Sequence, residues 1–452
     1  MTLLPFYVVP LTQSTWDEAL ESARNLPSET IPELRLDLFP DLDPEEMIRG
    51  LKRHCVVTNR RVSEGGRWEG SEEERLAHLL RAADCRPAWI DLEWELAIPE
   101  ALRANRSHIR LIRSVHVPPG VFDLEARLQA LPDGDAYKWV GHAEALSDNA
   151  RIKPSLAWAR DRGLQLSAFL MGPKGIPSRC LQGAWGGTFT YAAPDDGPPA
   201  APGQVPVATM RAWRLHRLNR HCSLCGVLGS PVLHSKGPAF HNPRFQASFK
   251  DLVYLPLDCG TAAEAMAALD RLPLLGASLT APLKATLPPL LGLQGPLNTL
   301  WRRALGQPWQ SANTDASALR EALPRLTPGP VLLLGRGGVA QTTLQLLMEQ
   351  QRPWLMASRA EPRSPAEVAQ LTPVGVIQAT SLGMQPEDPM PFPELLAAAQ
   401  PSLRWAVEWI YKEDTAFTRW ARELGLTLVE GGALFEAQAM AQSKAFIRGC
   451  GE

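Results

Sequence analysis

The chain has 452 residues, which is too long for one ordinary hydrophobic core and predicts two or three folded units. Apolar residues make up 45% and charged residues 21%, and the formal net charge of -2 gives no general field that would attract nucleic acid or an anionic membrane. The N-terminus has no basic region before its apolar run, and no uncharged apolar stretch of about 18 residues occurs. We therefore expect a cytoplasmic protein with local binding sites and without nucleic-acid or membrane partners.

Seven cysteines are spread along the chain, an odd number without the density of a disulfide scaffold, which fits a reducing compartment. Cys222 and Cys225 form a CxxC, but no second CxxC or nearby histidine pair completes a set of four metal ligands. Residues three apart in a strand also point to opposite faces. We interpret this pair as core packing and expect no metal.

Short apolar, often β-branched runs recur through residues 1–215 and predict eight strands, FYVVPL, ELRLDLF, CVVTNRR, WIDLEWEL, IRLIRSVH, AYKWVGHA, LSAFLMG and TFTYA. Helical patterns such as SEEERLAHLLRAA separate several of them, so the strands are expected to be parallel. Eight such units over roughly 200 residues predict a closed (β/α)8 barrel, in which chemistry belongs at the carboxyl ends of the strands. Polar residues concentrate at those predicted ends: Glu33, Arg35, Arg60, Glu93, His116 and Lys138.

Lys138 is the most informative residue of this half, because it lies in the predicted strand DAYKWVG. Burial in a central strand would lower the pKa of its ammonium group and give an amine able to form an imine with a ketone. From the strand alone, a lysine that reaches solvent or an ion-pair partner remains the alternative.

The ordered motifs ELRLD, TNRRVSEGG, IDLE, SVH, the strand lysine, MGPKGIPSR and APGQ resemble the type I 3-dehydroquinate dehydratases over almost the whole segment. This resemblance implies that Lys138 forms an imine with the C3 ketone of 3-dehydroquinate, that His116 transfers the C2 proton and later protonates the leaving hydroxyl, and that Glu64 orients His116. It implies that Arg179 binds the substrate carboxylate. The remaining contacts to the hydroxyl groups and the carboxylate side are assigned to Glu33, Arg35, Arg60 and Gln204. Ala200 replaces a serine that the family often has, so one contact is expected to be missing.

Residues 331–350 read VLLLGRGGVAQTTLQLLMEQ, which predicts a strand, a glycine turn and a helix typical of dinucleotide binding. Gly335 makes the tight exit from the strand, Gly337 lets backbone approach a pyrophosphate, and small Ala340 permits close packing of the helix whose N-terminus faces the anion. The predicted cofactor contacts in this turn are Gly335, Arg336, Gly337, Gly338, Val339 and Ala340.

The end of the next predicted strand, PWLMASRA, carries Ser358 and Arg359 where an NAD enzyme tends to have a carboxylate, and none appears before Glu361. A guanidinium at this position suits the 2′-phosphate of NADP, and Arg336 adds positive charge for the phosphates. A solvated surface arginine is the alternative. We expect NADP(H) as the cofactor.

On both sides of the glycine turn, the motifs GSPVLHSKGPAFHN, SLTAPLK, GPLNTL, SANTD, ATSLGM and EGGALFEAQA occur in the order found in shikimate dehydrogenases, which this half resembles. The resemblance implies that Lys284 and Asp315 form a catalytic pair that delivers a proton to the alkoxide created by hydride transfer. It assigns the ring hydroxyls and the carboxylate of the substrate to Asn298, Thr280, Gln438 and Ser235.

Several positions depart from the shikimate dehydrogenase pattern. Gly237 replaces a second serine, which removes a hydroxyl donor and is expected to open space for a bulkier acid such as quinate. The other departures are Ser311, Ala318, Gln378, Glu408 and a shortened YKEDT segment. Quinate oxidation by the rear half and a non-catalytic binding role for one half are therefore the alternatives.

The sequence thus predicts an α/β protein with an N-terminal (β/α)8 barrel (1–215), a substrate-binding domain (222–322 with 431–452) and a Rossmann NADP domain (323–430). The dehydrogenase cleft is expected between the last two domains. The first activity would convert 3-dehydroquinate into 3-dehydroshikimate, and the second would reduce that product to shikimate with NADPH. The sequence leaves open whether the chain is a monomer or a homodimer and whether the intermediate passes directly between the sites.

Overall fold

The computed structural model describes residues 6–295, 297–412 and 414–449. Outside the described residues lie Pro296 in the motif GPLNTL and Glu413 in YKEDT. Residues 1–5 of the predicted barrel (1–215) and residues 450–452 of the predicted substrate-binding domain (222–322 with 431–452) also lie outside them. By compactness the chain divides into two units, one running up to Val227 together with Pro231–Leu274, the other comprising Leu228–Ser230 and the residues from Leu275 onward. The three domain boundaries set from the sequence stay a prediction.

The N-terminal part of the first unit contains a sheet of parallel strands. Its eight strands in the described residues are β1 (Tyr7–Pro10), β2 (Thr30–Arg35), β3 (Val56–Thr58), β4 (Trp89–Glu93), β5 (Arg110–His116), β6 (Ala136–His142), β7 (Leu166–Met171) and β8 (Thr190–Tyr191). They are hydrogen-bonded in the order β7-β6-β5-β4-β3-β2-β1-β8. The N–H of Thr188, just before β8, donates to the carbonyl of Leu166 on β7 at 3.0 Å, so the sheet comes nearly full circle. The predicted barrel and its eight strands are confirmed.

Helices alternate with these strands, as a parallel barrel requires. They are α1 (Trp16–Asn25), α2 (Pro44–Leu51), α3 (Glu72–Asp84), α4 (Glu100–Ala104), α5 (Leu124–Leu128), α6 (Ile152–Arg160), α7 (Ile176–Cys180), α8 (Gln182–Trp185) and α9 (Val207–Ala212). Short 3-10 turns lie at Leu36–Leu38, Val62–Glu64, Leu146–Arg151, Pro173–Gly175 and Leu215–Arg217. Helices α1 and α3 begin with capping boxes, in which Thr15 or Ser71 and the glutamate three residues later satisfy each other's backbone N–H.

The interior of the barrel is filled by apolar side chains from the strands. The buried cluster contains Val8, Ile31, Val56, Trp89, Ile112, Ala136, Val140, Phe169, Phe189 and Tyr191. Ala136 and Val140 lie two residues before and after Lys138 on β6. Because alternate residues of a strand share a face, Lys138 points into the barrel.

The first unit also contains β9 (Ser223–Gly229), α10 (Gly237–Ala247), β10 (Leu252–Asp258) and α11 (Ala262–Arg271), and β9 and β10 are hydrogen-bonded neighbours. Helix α11 packs against the 3-10 turn Leu146–Arg151, and β10 packs against α7. The thiols of Cys222 and Cys225 are buried and not disulfide-bonded. Within the described ranges, no group of three or more His, Cys, Asp or Glu side chains is arranged to hold a metal ion.

The second unit begins with a small antiparallel arrangement, in which β12 lies between β11 and β13. Its elements are β11 (Leu274–Leu279), α12 (Leu283–Leu290), β12 (Thr299–Trp301), β13 (Gln310–Ala312) and α13 (Thr314–Ala322), followed by a 3-10 turn at Leu323–Arg325.

A parallel sheet in the order β15-β14-β16-β17-β18 completes the second unit. Its elements are β14 (Val331–Leu334), α14 (Gly338–Glu349), β15 (Trp354–Ala357), α15 (Pro365–Leu371), β16 (Gly375–Gln378), α16 (Pro393–Ala399), a 3-10 turn (Gln400–Ser402), β17 (Trp405–Glu408), α17 (Ala416–Glu423), β18 (Thr427–Val429) and α18 (Gly431–Gly449). Val331 and Leu333 enter one core cluster and Leu332 and Leu334 the other, so β14 is buried on both faces, as in a Rossmann fold. None of the helices in the described ranges has both the length and the apolarity to cross a membrane.

Candidate active sites

The first candidate site is a pocket of about 400 Å³ at the carboxyl ends of the barrel strands, called here the barrel pocket. The eight residues predicted for the dehydratase site all line it: Glu33, Arg35, Arg60, Glu64, His116, Lys138, Arg179 and Gln204. The fold therefore brings together side chains that come from six different segments of the chain.

Lys138 is 4% exposed, so its ammonium group is largely removed from water. Its Nζ lies 3.2 Å from Oδ2 of Asp91 and 4.1 Å from the ring centroid of Tyr191. Burial lowers the pKa of the Lys138 ammonium below its ordinary value, and the negative charge of Asp91 offsets this only in part. Lys138 therefore gives up its proton more readily than a surface lysine.

Asp91 on β4 is a member of the barrel site that the sequence interpretation missed. It accepts hydrogen bonds from Nη2 of Arg60 at 2.7 Å, from Lys138 and from the Ser114 hydroxyl. Burial alone would raise the pKa of Asp91, but the charges of Arg60 and Lys138 outweigh it, so the pKa lies below its usual range. Asp91 and Glu93 are two residues apart on β4 and share its inward face, so strand alternation was the signal that could have found both.

His116 ends β5 and is held by a carboxylate. Its Nδ1 lies 3.2 Å from Oε2 of Glu64, which in turn lies 2.8 Å from Nη1 of Arg60. Burial, together with the positive charges of Arg60 and Lys138, holds the pKa of His116 well below its ordinary value. We assign the ring proton to Nδ1, next to Glu64, which leaves Nε2 of a neutral ring able to accept a proton.

Arg179 on α7 is 1% exposed, and its guanidinium has no hydrogen-bond partner among the described residues. All three of its nitrogens, Nε, Nη1 and Nη2, are buried and unpaired, and the group lies 4.2 Å from the ring centroid of Phe169. Burial lowers the pKa of Arg179 to about 9, so the group is still cationic at neutral pH. An unpaired buried cation is costly, and the arrangement is suited to a planar anion that would accept from two of its nitrogens.

Glu33 and Arg35 follow each other along the inward face of β2, and each already has a partner. Glu33 accepts from the hydroxyl of Thr58 at 2.7 Å. Arg35 donates to both carboxylate oxygens of Asp37, at 2.8 and 2.6 Å. These contacts orient both side chains before any ligand arrives.

Gln204 lies on a loop that folds back on itself. Its Oε1 accepts from the backbone N–H of Ala200 at 2.7 Å, and the N–H of Gly172 donates to the carbonyl of Pro202 at 3.0 Å. The loop uses the backbone of Ala200, which any residue supplies, so the alanine breaks no hydrogen bond within the loop.

The second candidate site is a pocket of about 600 Å³ in the second unit, which includes Lys284, Asn298, Asn313, Asp315 and Gly338 in its lining. Nζ of Lys284 on α12 lies 2.7 Å from Oδ2 of Asp315 in the first turn of α13. Asn313 caps α13 by accepting from the N–H of Ala316 at 3.0 Å, which fixes the helix start and with it Asp315.

Thr314 joins two of the predicted substrate residues, Asn298 in the lining of this pocket and Gln438. Gln438 and Thr280 do not belong to the described residues that line the pocket. Oδ1 of Asn298 accepts from the N–H and the hydroxyl of Thr314, at 2.8 and 3.0 Å, and from the hydroxyl of Thr299 at 2.8 Å. The same Thr314 hydroxyl lies 3.2 Å from Oε1 of Gln438. The carbonyl of Thr280 accepts from the first turn of α12. Since the oxygen of Asn298 is occupied, its amide nitrogen is the group it offers a ligand.

Ser235 lies in the first compact unit, where its hydroxyl accepts from the N–H of Gly237 at 3.1 Å. A Cβ on Gly237 would lie 2.8 Å from Cε1 of Tyr254. The expectation that Gly237 opens room for a bulkier acid is therefore wrong at this position, because the Tyr254 ring fills the space.

The glycine turn has the geometry that the sequence predicted. Gly335 has φ +121°, and a Cβ there would lie 2.5 Å from the carbonyl oxygen of Ala379, so only glycine fits. Gly337 precedes α14, and a Cβ on it would meet nothing within 4 Å, so its backbone faces open space. Ala340 is fully buried against the sheet, Val339 is half-buried, and Arg336 and Gly338 are exposed.

The tip of β15 carries Ser358 and the exposed Arg359, as predicted, and also a carboxylate. The N–H of Glu361 donates to the hydroxyl of Ser358 at 3.0 Å, and Oε1 of Glu361 lies 3.5 Å from Nη1 of Arg336. The turn after β15 thus brings Glu361 back to the glycine turn, a contact that the sequence does not indicate.

Gln378 and Glu408, two of the departures from the shikimate dehydrogenase pattern, form hydrogen bonds with the loops that follow β16 and β17. Gln378 donates to and accepts from the backbone of Thr380–Leu382, at 2.7 and 2.6 Å. Glu408 accepts from the N–H of Ile410 at 2.9 Å and from the hydroxyl of Thr415 at 3.0 Å. Burial raises the pKa of Glu408 to about 7. Both side chains are therefore engaged with their own loops.

Comparison with known proteins finds relatives for both halves of the chain. Residues 7–215 match the family described as type I 3-dehydroquinase, and residues 227–295 match the shikimate dehydrogenase substrate binding domain. The chloroplastic bifunctional 3-dehydroquinate dehydratase/shikimate dehydrogenase of Arabidopsis thaliana is 27% identical over 92% of this chain and 77% of its own length. A 3-dehydroquinate dehydratase of Desulfotalea psychrophila is 33% identical over 45% of this chain and 94% of its own length. Among solved structures, the dehydroquinate dehydratase and shikimate dehydrogenase of S. pombe aligns with 99% of this chain and 98% of its own, at 18% identity and a TM-score of 0.40.

The dehydratase relative is matched along nearly its whole length, and the dehydrogenase domain follows it in the same chain. The chain therefore belongs to the type I 3-dehydroquinase family in its front half and, with a shikimate dehydrogenase fused behind it, is a bifunctional shikimate-pathway enzyme.

Proposed function

We propose that the front half dehydrates 3-dehydroquinate through an imine on Lys138 and that the rear half reduces the resulting 3-dehydroshikimate to shikimate with NADPH. The observation that carries this proposal is the pairing, in one buried pocket, of an amine with a lowered pKa and a guanidinium without a partner. The amine suits a ketone and the guanidinium suits a carboxylate, and 3-dehydroquinate carries both groups.

In the dehydratase site, the neutral amine of Lys138 attacks the C3 carbonyl, the resulting carbinolamine takes up one proton from solvent, and water leaves to give a protonated imine. Asp91, 3.2 Å from Nζ, offsets the positive charge. Nε2 of His116 removes the C2 proton, and the electron pair moves into the imine to give an enamine. The same proton is then delivered to the C1 hydroxyl, which leaves as water while the imine reforms. A second water hydrolyses the imine and returns Lys138 to its amine form, so the net change is the loss of one water.

In the dehydrogenase site, NADPH supplies a hydride to the C3 carbonyl when it is bound. The backbone at the glycine turn and the N-terminus of α14 would hold its pyrophosphate, and Arg336 and Arg359 would hold its 2′-phosphate side. The open space over Gly337 supports this fit. Lys284, oriented by Asp315 at 2.7 Å, protonates the developing alkoxide. The amide nitrogen of Asn298 and the side chains of Thr280 and Gln438 would bind the ring hydroxyls.

A coupled assay with two matched variants tests both halves. With 3-dehydroquinate and borohydride, the unchanged protein should acquire a covalent adduct on Lys138, visible by mass spectrometry of the peptide. Lys138→Ala should form no adduct and lose about 10⁴-fold or more in dehydratase turnover, because its chemistry depends on the covalent step. It should still reduce added 3-dehydroshikimate.

Lys284→Met is the reciprocal control. It should convert 3-dehydroquinate to 3-dehydroshikimate at the ordinary rate and stop there, while still binding NADPH. An adduct that survives Lys138→Ala would overturn the imine mechanism. Equal or faster turnover of quinate than of shikimate, measured with NADP and with NAD, would overturn the substrate assignment of the rear half. A half that turns over none of these compounds would be a binding module.

A further inference from the structure

The capping position of helix α11 differs from the other caps of the same sequence pattern. In α1, α3 and α15, a Ser or Thr cap is followed three residues later by a glutamate that turns back to the cap N–H and closes a capping box. Helix α11 has the same pattern, Thr261 followed by Glu264, and the hydroxyl of Thr261 accepts from the N–H of Glu264 at 3.2 Å. The box is nevertheless not closed, because the carboxylate of Glu264 is directed elsewhere.

The carboxylate of Glu264 instead contacts two turns that follow the barrel strands β6 and β7. Its Oε1 lies 2.8 Å from Nζ of Lys174 and accepts from the backbone N–H of Leu146 at 3.0 Å. The Glu264 side chain is 11% exposed and that of Lys174 is 32% exposed, so the pair is largely shielded from solvent. Glu264 belongs to the stretch that matches the dehydrogenase family, whereas Leu146 and Lys174 belong to the dehydratase barrel.

The two barrel segments that Glu264 contacts are joined by Asn149. This fully buried side chain donates from Nδ2 to the carbonyls of Leu146 and Lys174, at 2.8 and 2.7 Å. Its Oδ1 accepts from the N–H of Ser178 at 3.0 Å. Ser178 is the residue directly before Arg179 in α7. A continuous set of hydrogen bonds therefore runs from Glu264 to the backbone that carries the unpaired guanidinium.

The segment that leads to Arg179 also contacts the loop that carries Gln204. The N–H of Gly172 donates to the carbonyl of Pro202 at 3.0 Å, and the backbone of Gly203 lies directly against that of Gly172. Residues 172–179, called here the arginine segment, thus underlie two of the predicted substrate contacts.

We propose that Glu264, a residue of the dehydrogenase half, is a positioning residue for the dehydratase reaction. It holds the arginine segment so that the guanidinium of Arg179 is aimed at the substrate carboxylate. The proposal rests on the proposed function, in which Arg179 binds that carboxylate in both the ground state and the transition state. Loosening such a contact raises KM and leaves kcat nearly unchanged.

Steady-state kinetics of the full-length chain test this proposal. Glu264→Ala, which removes both contacts, should raise the KM for 3-dehydroquinate by about tenfold and change kcat by less than about twofold. Glu264→Gln keeps an oxygen for the N–H of Leu146 but loses the charge toward Lys174, so its KM should rise by about two- to threefold. Lys174→Met removes the same ion pair from the barrel side, and it provides the test if Glu264→Ala does not fold.

A double-mutant cycle separates coupling from general damage. Glu264→Gln and Lys174→Met both break the Glu264–Lys174 ion pair, and Lys174→Met also removes the hydrogen bond that Nζ donates to the carbonyl of Glu144 at 3.1 Å. The KM of the double variant should therefore equal that of Lys174→Met alone rather than reflect the product of the two effects. Asp270→Asn is the matched control, because it removes an exposed carboxylate from the other end of α11. It should leave the KM for 3-dehydroquinate unchanged.

The outcomes distinguish this proposal from the function on which it rests. If Arg179→Met leaves KM unchanged, the role of Arg179 as carboxylate binder is wrong. If Arg179→Met raises KM but Glu264→Ala does not, Arg179 keeps its role and the positioning role of Glu264 is wrong. A fall in kcat without a rise in KM for Glu264→Ala would equally overturn the positioning role.

Discussion

Arg179 combines a functional requirement with a cost to stability. Its three buried nitrogens have no partner among the described residues, so the protein without ligand holds an uncompensated cation in its interior. Replacing such a group by an apolar side chain of similar length removes the cost of its desolvation. Binding of a carboxylate would have the same effect, because it supplies the missing partner.

We therefore predict that Arg179→Met raises the free energy of unfolding of the ligand-free protein by about 1 to 3 kcal/mol, measured in urea. The same change should lower kcat/KM of the dehydratase by about 10²- to 10³-fold, the loss expected for a bidentate contact with a carboxylate. Arg113→Met is the matched control. That arginine is equally buried, but its Nη2 donates to the carbonyls of Glu93 and Trp94, at 2.9 and 3.0 Å, so its loss should destabilise the protein. Destabilisation by both changes would contradict the prediction.

At the level of single residues, the polar side chains within or just after the barrel strands, such as Lys138 and His116, were predictable because the apolar runs reveal those strands. Glu64, Arg179 and Gln204 lie on a turn, a helix and a loop, and only the resemblance to the dehydratase family indicates them.

Asp91 is not singled out by the sequence, because the motif IDLE contains two carboxylates and only Glu93 ends the strand. The role of Tyr254 was beyond reach, since nothing near Gly237 in the sequence indicates that a ring from β10 fills the space that the missing side chain leaves.

At the scale of the elements, Glu408 at the end of β17 makes the stability of the fold depend on pH. Burial raises the pKa of Glu408 to about 7 in the folded protein, from an ordinary value of 4.5. The folded state therefore holds this proton more tightly than the unfolded state. The stabilisation that results is fully present below pH 4.5 and is lost as the pH rises through about 7.

Glu408→Gln removes this titration and keeps an acceptor for the N–H of Ile410. We expect the free energy of unfolding of the variant, relative to the unchanged protein, to increase by roughly 2 to 3 kcal/mol between pH 5 and pH 8. Urea unfolding at the two pH values measures the difference. Glu423→Gln, a change at an exposed carboxylate on the neighbouring α17, should show no such pH dependence. An offset for Glu408→Gln that is the same at both pH values would rule out the raised pKa as its cause.

The strands and the glycine turn were predictable because their signals are local: apolar runs, and a glycine whose φ no other residue adopts easily. The cap of α11 was not predictable in this way. Its Thr261 and Glu264 are the local signature of a closed capping box, and only the tertiary contact with Lys174 explains why the carboxylate turns away.

At the scale of the whole molecule, the boundary that the sequence predicts at residue 215 does not coincide with the division of the chain by compactness. Pro231–Leu274 groups with the barrel, although residues 227–295 match the dehydrogenase family. Local patterns mark where a linker starts, but they carry no information about which surface a later helix will cover.

A fragment of residues 1–221 should therefore be less stable than the barrel within the full chain. We expect the temperature at which half of its dehydratase activity is lost to be lower by roughly 5 °C or more, because β10 and α11 no longer cover α7 and the arginine segment. A fragment of residues 1–274 retains every residue of the first unit and should recover part of the difference. Equal midpoints for the short fragment and the full chain would show that the barrel is self-sufficient.

The contacts of Glu264 with Lys174 and Leu146 make the evolution of the dehydratase half depend on a residue of the dehydrogenase half. In a separate dehydrogenase, the carboxylate of Glu264 would be free to close the capping box with Thr261. A mutation of Glu264 would then affect only the dehydrogenase activity. Once Glu264 holds the arginine segment, selection on the dehydratase acts on a codon of the dehydrogenase. Splitting such a fused gene would then lower the activity of the dehydratase, because it would remove Glu264 and leave the arginine segment without that support.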